Sequence, residues 1–267
     1  MDRSRQIDLF VLATPGLSGG DLAACTACLD ASERARAQRL PEGPARRDFI
    51  AAHGLARFAL SRRHPARPPA AWQFVTGAQG KPEVVAPPHL AISLTHTRDL
   101  VAVAVAEAPG CDLGLDAERI VPARATAETA AVFCTPRETA ALAAIADRQE
   151  KHRRFFALWT LKESLLKAGG TGFATAPQTL ACTLDPLAVL TAPPAGAGRI
   201  WTAWHGPVGA HHHLAMAALS AAAAGAPLQL AVWPMTGICD LARSGDAGHT
   251  GADISLASVG FADEAGA

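Results

Sequence analysis

Three short runs of this 267-residue chain hold side chains that can do chemistry together. The first is Asp112-Leu-Gly-Leu-Asp116-Ala-Glu118. Residues two apart in a strand face the same way, so Gly114, Asp116 and Glu118 share one face and Leu113, Leu115 and Ala117 turn to a core. Two carboxylates at i and i+2 make an oxygen-rich pair suited to a hard cation such as Mg²⁺. Two ordinary surface acids on an edge strand fit the same short pattern.

The second run is FFALWTLKESLLKAGGTG, Phe155 to Gly172. As a helix it gathers Phe155, Leu158, Trp159, Leu165 and Leu166 into one apolar arc. With Phe155 at zero, Lys162 falls at about 340°, in the middle of that arc, while Glu163 lies at about 80° and Lys167 at about 120°. Glu163 is the candidate third carboxylate for Asp116 and Glu118, and Lys167, one turn on, can pair with it. A buried lysine is costly without a partner. Lys162 therefore either snorkels out along its stem or reaches an anion, or the carboxylates, in a cleft. The third run is Ile92-Ser-Leu-Thr-His-Thr97, which puts Ser93, Thr95 and Thr97 on one side of a strand with His96 at its end. Preceded by Gly80-Lys81-Pro82, it suits a phosphate-binding rim, while a lone structural histidine is the plainer reading of His96.

Several elements have to position these residues. Ile7 to Ala13 reads as a strand and Gly20 to Arg39 as helical, and Arg46 to Arg63 is a second helical run stopped by Pro65. Short strands follow at Trp72 to Thr76 and Leu90 to Leu94, and LVAVAVA (Leu100 to Ala106) is apolar throughout, as in a strand buried on both faces. Helices at Thr126 to Val132 and Arg137 to Ala146 flank Cys134-Thr-Pro136, where Thr135 caps and Pro136 takes a first helical position. Gly169-Gly170 ends the Phe155 helix. Strands are expected at Leu180 to Leu184, Arg199 to His205, His213 to Leu219 and Leu228 to Pro234. Helices followed by strands recur in two halves, residues 1–112 and 113–240, and residues 241–267 read as a mobile tail of small and polar residues.

Composition narrows the function. Apolar residues form 49% of the chain and the net charge is +0, which describes an ordinary globular protein and argues against a bulk nucleic-acid binder. Between Ala31 and Ala70, however, nine arginines face three acids, an excess of six that points to an anionic ligand or partner. The amino terminus does not read as an export signal, and no run of about 18 apolar residues reads as a membrane span. The six cysteines are scattered; Cys25 and Cys28 form a lone pair without a zinc-type companion set, so a reducing cytoplasm is expected.

Taken together, Gly80-Lys-Pro82, the Ser93 to Thr97 segment, Gly114-Leu-Asp-Ala-Glu118 and Phe155 to Gly172 resemble the Sfp-type 4′-phosphopantetheinyl transferases, in order and in separation. The resemblance spans about Arg46 to Gly172. It implies an α+β monomer of two similar α/β halves related by a pseudo-twofold, with coenzyme A in the cleft between them. It also implies a Mg²⁺-dependent enzyme (Mn²⁺ being an alternative) that moves phosphopantetheine from coenzyme A to a serine of an acidic acyl or peptidyl carrier protein in fatty-acid, polyketide or nonribosomal-peptide biosynthesis. On that resemblance Asp116, Glu118 and Glu163 are the metal ligands. Lys81, Thr95 and His96 contact the coenzyme A phosphates, with His96 at the 3′-phosphate, and Lys162 and Lys167 address the pyrophosphate. Glu163 and Lys167 are the catalytic residues, and Glu163 or a metal-linked water takes the proton from the carrier serine. The family's usual Asn-x-Ser-His-Ser reads Ser93-Leu-Thr-His-Thr97 here, and an arginine usual in the second helix falls at Asp48, with Arg46 and Arg47 as its stand-ins. A metal-dependent phosphodiester hydrolase on the same carboxylates and a non-catalytic coenzyme A-binding protein are the alternatives.

Overall fold

The computed structural model describes residues 5–77, 80–194, 198–221, 228–238, 254 and 256–262. The chain forms two compact units, residues 1–108 with 228–252 and residues 109–227 with 253–267. In chain order the first stretch carries β1 (Gln6–Ala13), α1 (Gly19–Cys28), α2 (Ala31–Arg39), α3 (Pro44–Arg63), β2 (Phe74–Thr76), β3 (Pro82–Val84), β4 (Leu90–Thr97) and β5 (Leu100–Glu107). There follow β6 (Asp112–Arg119), α4 (Ala127–Phe133), α5 (Pro136–Ala143), α6 (Arg148–Gly169), β7 (Ala181–Leu184), β8 (Leu187–Thr191), β9 (Arg199–Val208), β10 (His212–Ala221), β11 (Gln229–Met235) and β12 (Ala257–Ala262). The class is mixed α and β, and among the described residues no helix is long and apolar enough to cross a membrane.

In the first unit the sheet runs β11-β1-β5-β4, with β11 parallel to β1 and the other pairs antiparallel. The strand expected at 228–234 thus forms, and it joins the sheet of the amino-terminal half. The long helix α3 packs on β4 and β5 through Phe49, Ile50, Leu55 and Leu60, against Ile92, Val101 and Val103. Every residue from Leu100 to Ala106 is buried, as the unbroken apolar run requires.

The single helix expected over 20–39 is two. Leu29 is extended, and Asp30 accepts from the Glu33 backbone N–H while the Glu33 carboxylate takes the Asp30 N–H, so a capping box opens α2. Local hydrogen bonding at an Asp-x-x-Glu sequence outweighs the helical periodicity running through it. Of the arginines in the basic stretch, Arg57 and Arg63 are buried in ion pairs with Glu33 and Asp8, so the local charge excess overstates the exposed positive surface.

The second unit has the antiparallel sheet β12-β9-β10-β6. The expected tail at 241–267 lies outside the described residues except for 254 and 256–262, and in that part the reading is corrected. Residues 257–262 pair with β9 because the alternating Ala-Ser-Val-Gly-Phe-Ala stretch satisfies the open backbone of an outer strand. The sequence reading also missed β8, which pairs with β7.

Helix α6 lies across β6, β9 and β10. Asp147 caps its start, and Gly170, at φ 66°, ends it in the left-handed region open to glycine. It is longer than the apolar arc suggests, and from Phe155 to Ala168 only Trp159, Glu163 and Lys167 escape full burial. Those three stand four residues apart, on one stripe of the helix. A helix buried on nearly all sides is a core element, and β6 meets it at Gly114. A Cβ there would fall on the Ser164 carbonyl and the Ala168 amide, so only glycine lets strand and helix backbones come this close.

Lys162 is wholly buried, and its Nζ donates to Glu138 Oε2 at 2.5 Å and to the Phe133 carbonyl at 2.7 Å. Glu138 also takes the Thr135 N–H at 2.7 Å and the Cys182 N–H at 2.8 Å. One ion pair therefore ties α6 to the end of α4, the cap of α5 and strand β7. Snorkelling is excluded, and the assignment of Lys162 to a pyrophosphate is corrected: both of its partners lie in the core.

Removing one partner of a buried pair strands the other charge, so Lys162→Met is expected to lower the unfolding free energy in urea by about 3–5 kcal/mol. Lys162→Met/Glu138→Gln should cost less than the sum of the two single changes, and additivity would show that the pair is not coupled. Gly114→Ala should destabilise by about 1–3 kcal/mol, since a backbone carbonyl cannot swing aside as a side chain would; a change within about 0.5 kcal/mol in the same assay would refute the close approach.

Candidate active site

Because Gly114 lets α6 lie directly on β6, the next two residues on the same face of the strand, Asp116 and Glu118, come under the Trp159, Glu163 and Lys167 stripe. Lys167 Nζ donates to Asp116 Oδ1 at 2.7 Å and to the Leu115 carbonyl at 3.0 Å, holding the helix to the strand at the site. This ion pair replaces the Glu163 to Lys167 pairing that helical spacing suggests. Arg124, in the turn of helix (Pro122–Arg124) after β6, grips Glu118 with both Nη atoms, at 3.0 and 3.4 Å.

Glu163 stands apart from these pairs. Its Oε1 is buried with no hydrogen-bond partner, and its carboxyl is pushed up to about 7. Burial is the largest cause; the like charges of Asp116 and Glu118 add to it, and Lys167 opposes it. Burial also raises Glu118, with Asp116 adding and Arg124 opposing. Two cations thus face three carboxylates at close quarters. The missing positive charge is felt at Glu163, where only a proton or a further cation can relieve the repulsion.

Among the described residues no group of three or more His, Cys, Asp or Glu side chains stands close enough to hold a metal ion unaided. Asp116, Glu118 and Glu163 share one electrostatic neighbourhood without forming a closed cage. Mg²⁺ is usually held in such open sites, by one or two carboxylates with water and substrate phosphate completing its shell. The orphaned Glu163 oxygen and the surplus negative charge fit a hard divalent cation.

The remaining predicted residues belong to the first unit. Lys81 is half-buried in the turn before β3, its carbonyl accepting from the Gly77 N–H at 2.8 Å. Thr95 and His96 are neighbours in β4 and so face opposite sides. Thr95 is buried, whereas His96 is exposed on the side of α3 with its ring edge-on to Phe49 at 6.3 Å. Arg46 closes the end of α2, donating to the Leu40 carbonyl from Nε at 2.9 Å and Nη2 at 2.6 Å. Arg47 binds Asp48 at 3.0 Å and Asp99 at 2.8 Å. Both stand-in arginines thus hold parts of the first unit together, and each keeps part of its side chain exposed, 30% for Arg46 and 23% for Arg47. Asp48 is buried and accepts from Thr14 Oγ1 at 2.5 Å and the Asp99 N–H at 3.0 Å, so the expected arginine position holds an anchor for α3.

Sequence reasoning missed two residues: Glu138, the partner of Lys162, and Arg124, the partner of Glu118. Glu138 had a signal, since Thr135-Pro-Arg-Glu138 is a capping box that places a carboxylate at the head of α5. Arg124 had none, because its contact depends on how the chain turns after β6.

Residues 112–217 match the family model of the 4′-phosphopantetheinyl transferase superfamily, a stretch that opens with β6 and contains Asp116, Glu118, Glu163 and Lys167. The chain is 34% identical over 172 residues to the 4′-phosphopantetheinyl transferase HetI of a Nostoc species, covering 62% of this chain and 71% of that protein. A 4′-phosphopantetheinyl transferase of Bacillus subtilis is 27% identical over 163 residues, 59% of this chain and 67% of the relative. The 4′-phosphopantetheinyl transferase psf-1 of Bacillus pumilus is 37% identical over 102 residues, 38% and 41% of the two chains. With Asp116, Glu118, Glu163 and Lys167 inside the matched stretch and a relative matched over most of its length, the chain belongs to the 4′-phosphopantetheinyl transferase superfamily.

Proposed function

We propose that this chain is a Mg²⁺-dependent 4′-phosphopantetheinyl transferase, moving phosphopantetheine from coenzyme A to a serine hydroxyl of an apo carrier protein and releasing adenosine 3′,5′-bisphosphate. The observation that carries the reading is Glu163: a buried carboxylate with an orphaned oxygen, set among Asp116, Glu118 and Lys167.

In the reaction the serine oxygen forms a bond to the phosphorus that bears pantetheine, the pyrophosphate bridge breaks, and the bisphosphate leaves with the electron pair. Asp116, Glu118 and Glu163 would hold the divalent ion, which when bound supplies positive charge to the pyrophosphate oxygens. Glu163, whose Oε1 has no hydrogen-bond partner, is also the carboxylate that would take the serine hydroxyl proton in this reading. Lys167, fixed by Asp116 and the Leu115 carbonyl, keeps an ammonium beside the reacting phosphates at little reorganisation cost.

Lys81, Thr95 and His96 are the phosphate contacts of the first unit in this reading, carried over from the resemblance, with His96 at the 3′-phosphate. The two units, each a four-stranded sheet bearing one long helix, are read as the related halves of the family fold. Lys162 is left out, since it is wholly buried with both partners in the core, while the partly exposed Arg46 and Arg47 stay in this reading as coenzyme A contacts carried over from the resemblance. Arg34, Arg36 and Arg39 on α2 are exposed and suit an acidic carrier surface. Action as a monomer in a reducing cytoplasm belongs to the same proposal, and the five described cysteines, all buried as thiols, accord with it.

Incubated with coenzyme A, Mg²⁺ and a panel of apo acyl and peptidyl carriers, the protein should add the mass of phosphopantetheine to at least one of them. No gain on any carrier would overturn the proposal, and bisphosphate release without a carrier would favour the hydrolase. Glu163→Gln and Asp116→Ala should each lower kcat/KM by about 100-fold or more while leaving the fold intact, as expected for groups that meet developing charge. More than a tenth of native activity in either variant would remove that residue from the site.

A further inference from the structure

The stripe that brings Glu163 and Lys167 to β6 begins with Trp159, which has no carboxylate or phosphate chemistry of its own. Its ring stacks on Phe133 with centroids 3.8 Å apart and planes at 16°, and it lies edge-on to Phe155 at 5.7 Å. The Arg124 guanidinium stands over this aromatic group, 4.9 Å from the Trp159 centroid and 5.9 Å from that of Phe156. The same guanidinium forks onto Glu118. An unbroken series therefore runs from the core through Phe133, Trp159 and Arg124 to Glu118.

We infer that Arg124 is a positioning residue for this transferase, held by Trp159 and in turn holding the Glu118 carboxylate in the orientation that receives the divalent cation. The stronger bond is to Oε2, at 3.0 Å; the contact to Oε1 is longer, at 3.4 Å, and leaves that oxygen the better placed of the two for a further ligand. A lysine cannot do this work, because only a guanidinium combines contact with an indole ring with two N–H groups presented to one carboxylate. Neither Trp159 nor Arg124 is expected to touch the reacting atoms. The four-residue spacing of Trp159 and Glu163 makes one rigid helix set two of the three carboxylates: Glu163 directly and Glu118 through Arg124.

The inference rests on Glu118 facing the metal, so the test separates the two. Mn²⁺ is titrated into the full chain with coenzyme A and no carrier, and free ion is followed by electron paramagnetic resonance. Glu118→Ala should weaken binding at least tenfold; native-like binding in that variant, or no Mn²⁺ binding by the native protein, overturns the metal reading and this inference with it. With Glu118 confirmed, Arg124→Gln and Arg124→Lys should each raise the Mn²⁺ dissociation constant by about 10–100-fold, the range for groups that orient a metal ligand. The Arg124 side chain is 45% exposed, so thermal unfolding should scarcely move. Binding within tenfold of native in either Arg124 variant overturns the positioning role while leaving the metal site standing. Trp159→Leu should weaken Mn²⁺ binding in the native background but add nothing in Arg124→Gln; equal weakening in both backgrounds overturns the relay through Arg124.

Discussion

The contact between α6 and β6 at Gly114 is the constraint on which the second unit and its candidate site depend. Strands and helices in a mixed fold are normally separated by a layer of side chains, and here the absence of one Cβ removes that layer at a single point. Once two backbones touch, little freedom remains for what lies on either side. Lys167 is brought within reach of Asp116 and of the strand's own carbonyl, and Glu163 comes into the field of both strand carboxylates. The helix can lie so deep because Lys162, the one charge on its core face, is matched inside by Glu138.

This arrangement divides the lysines of the motif by environment. Lys162 and Lys167 are five residues apart on one helix, so they point in different directions. One is sealed among α4, α5 and β7 and serves the fold; the other is half-exposed and lies beside Asp116 in the candidate site. Their carboxylate partners divide likewise. Glu138 is fully engaged, accepting from two backbone N–H groups and one ammonium, whereas Glu163 retains a buried oxygen with nothing to accept from. A polar group fully satisfied by its own chain is structural in character. One left unsatisfied beside like charges has affinity to offer a ligand.

In the first unit the same distinction redistributes the arginines. Arg57 and Arg63 are buried in ion pairs, Arg46 and Arg47 are half-buried in caps and ion pairs, and Arg34, Arg36 and Arg39 on α2 are exposed. Thr95 and His96, adjacent in sequence, are parted by the pleat of β4.

Much of this was legible in the chain. Period-two alternation placed Asp116 and Glu118 together on β6; helical spacing placed Glu163 and Lys167 near one another on the open flank of α6; and the capping residues Thr135 and Pro136 marked the start of α5. These features are local, set by backbone geometry within a few residues, and so are carried by sequence alone. What tertiary structure decided was partnership. Periodicity can place Lys162 on a buried face but cannot supply Glu138, which is 24 residues away. Nor can it tell that Lys167 binds Asp116, that Arg124 turns back onto Glu118, or that Arg46 donates to the Leu40 carbonyl. A charge buried in a protein takes its meaning from the nearest opposite charge and from the water denied to it, and both are fixed only when distant segments are brought together.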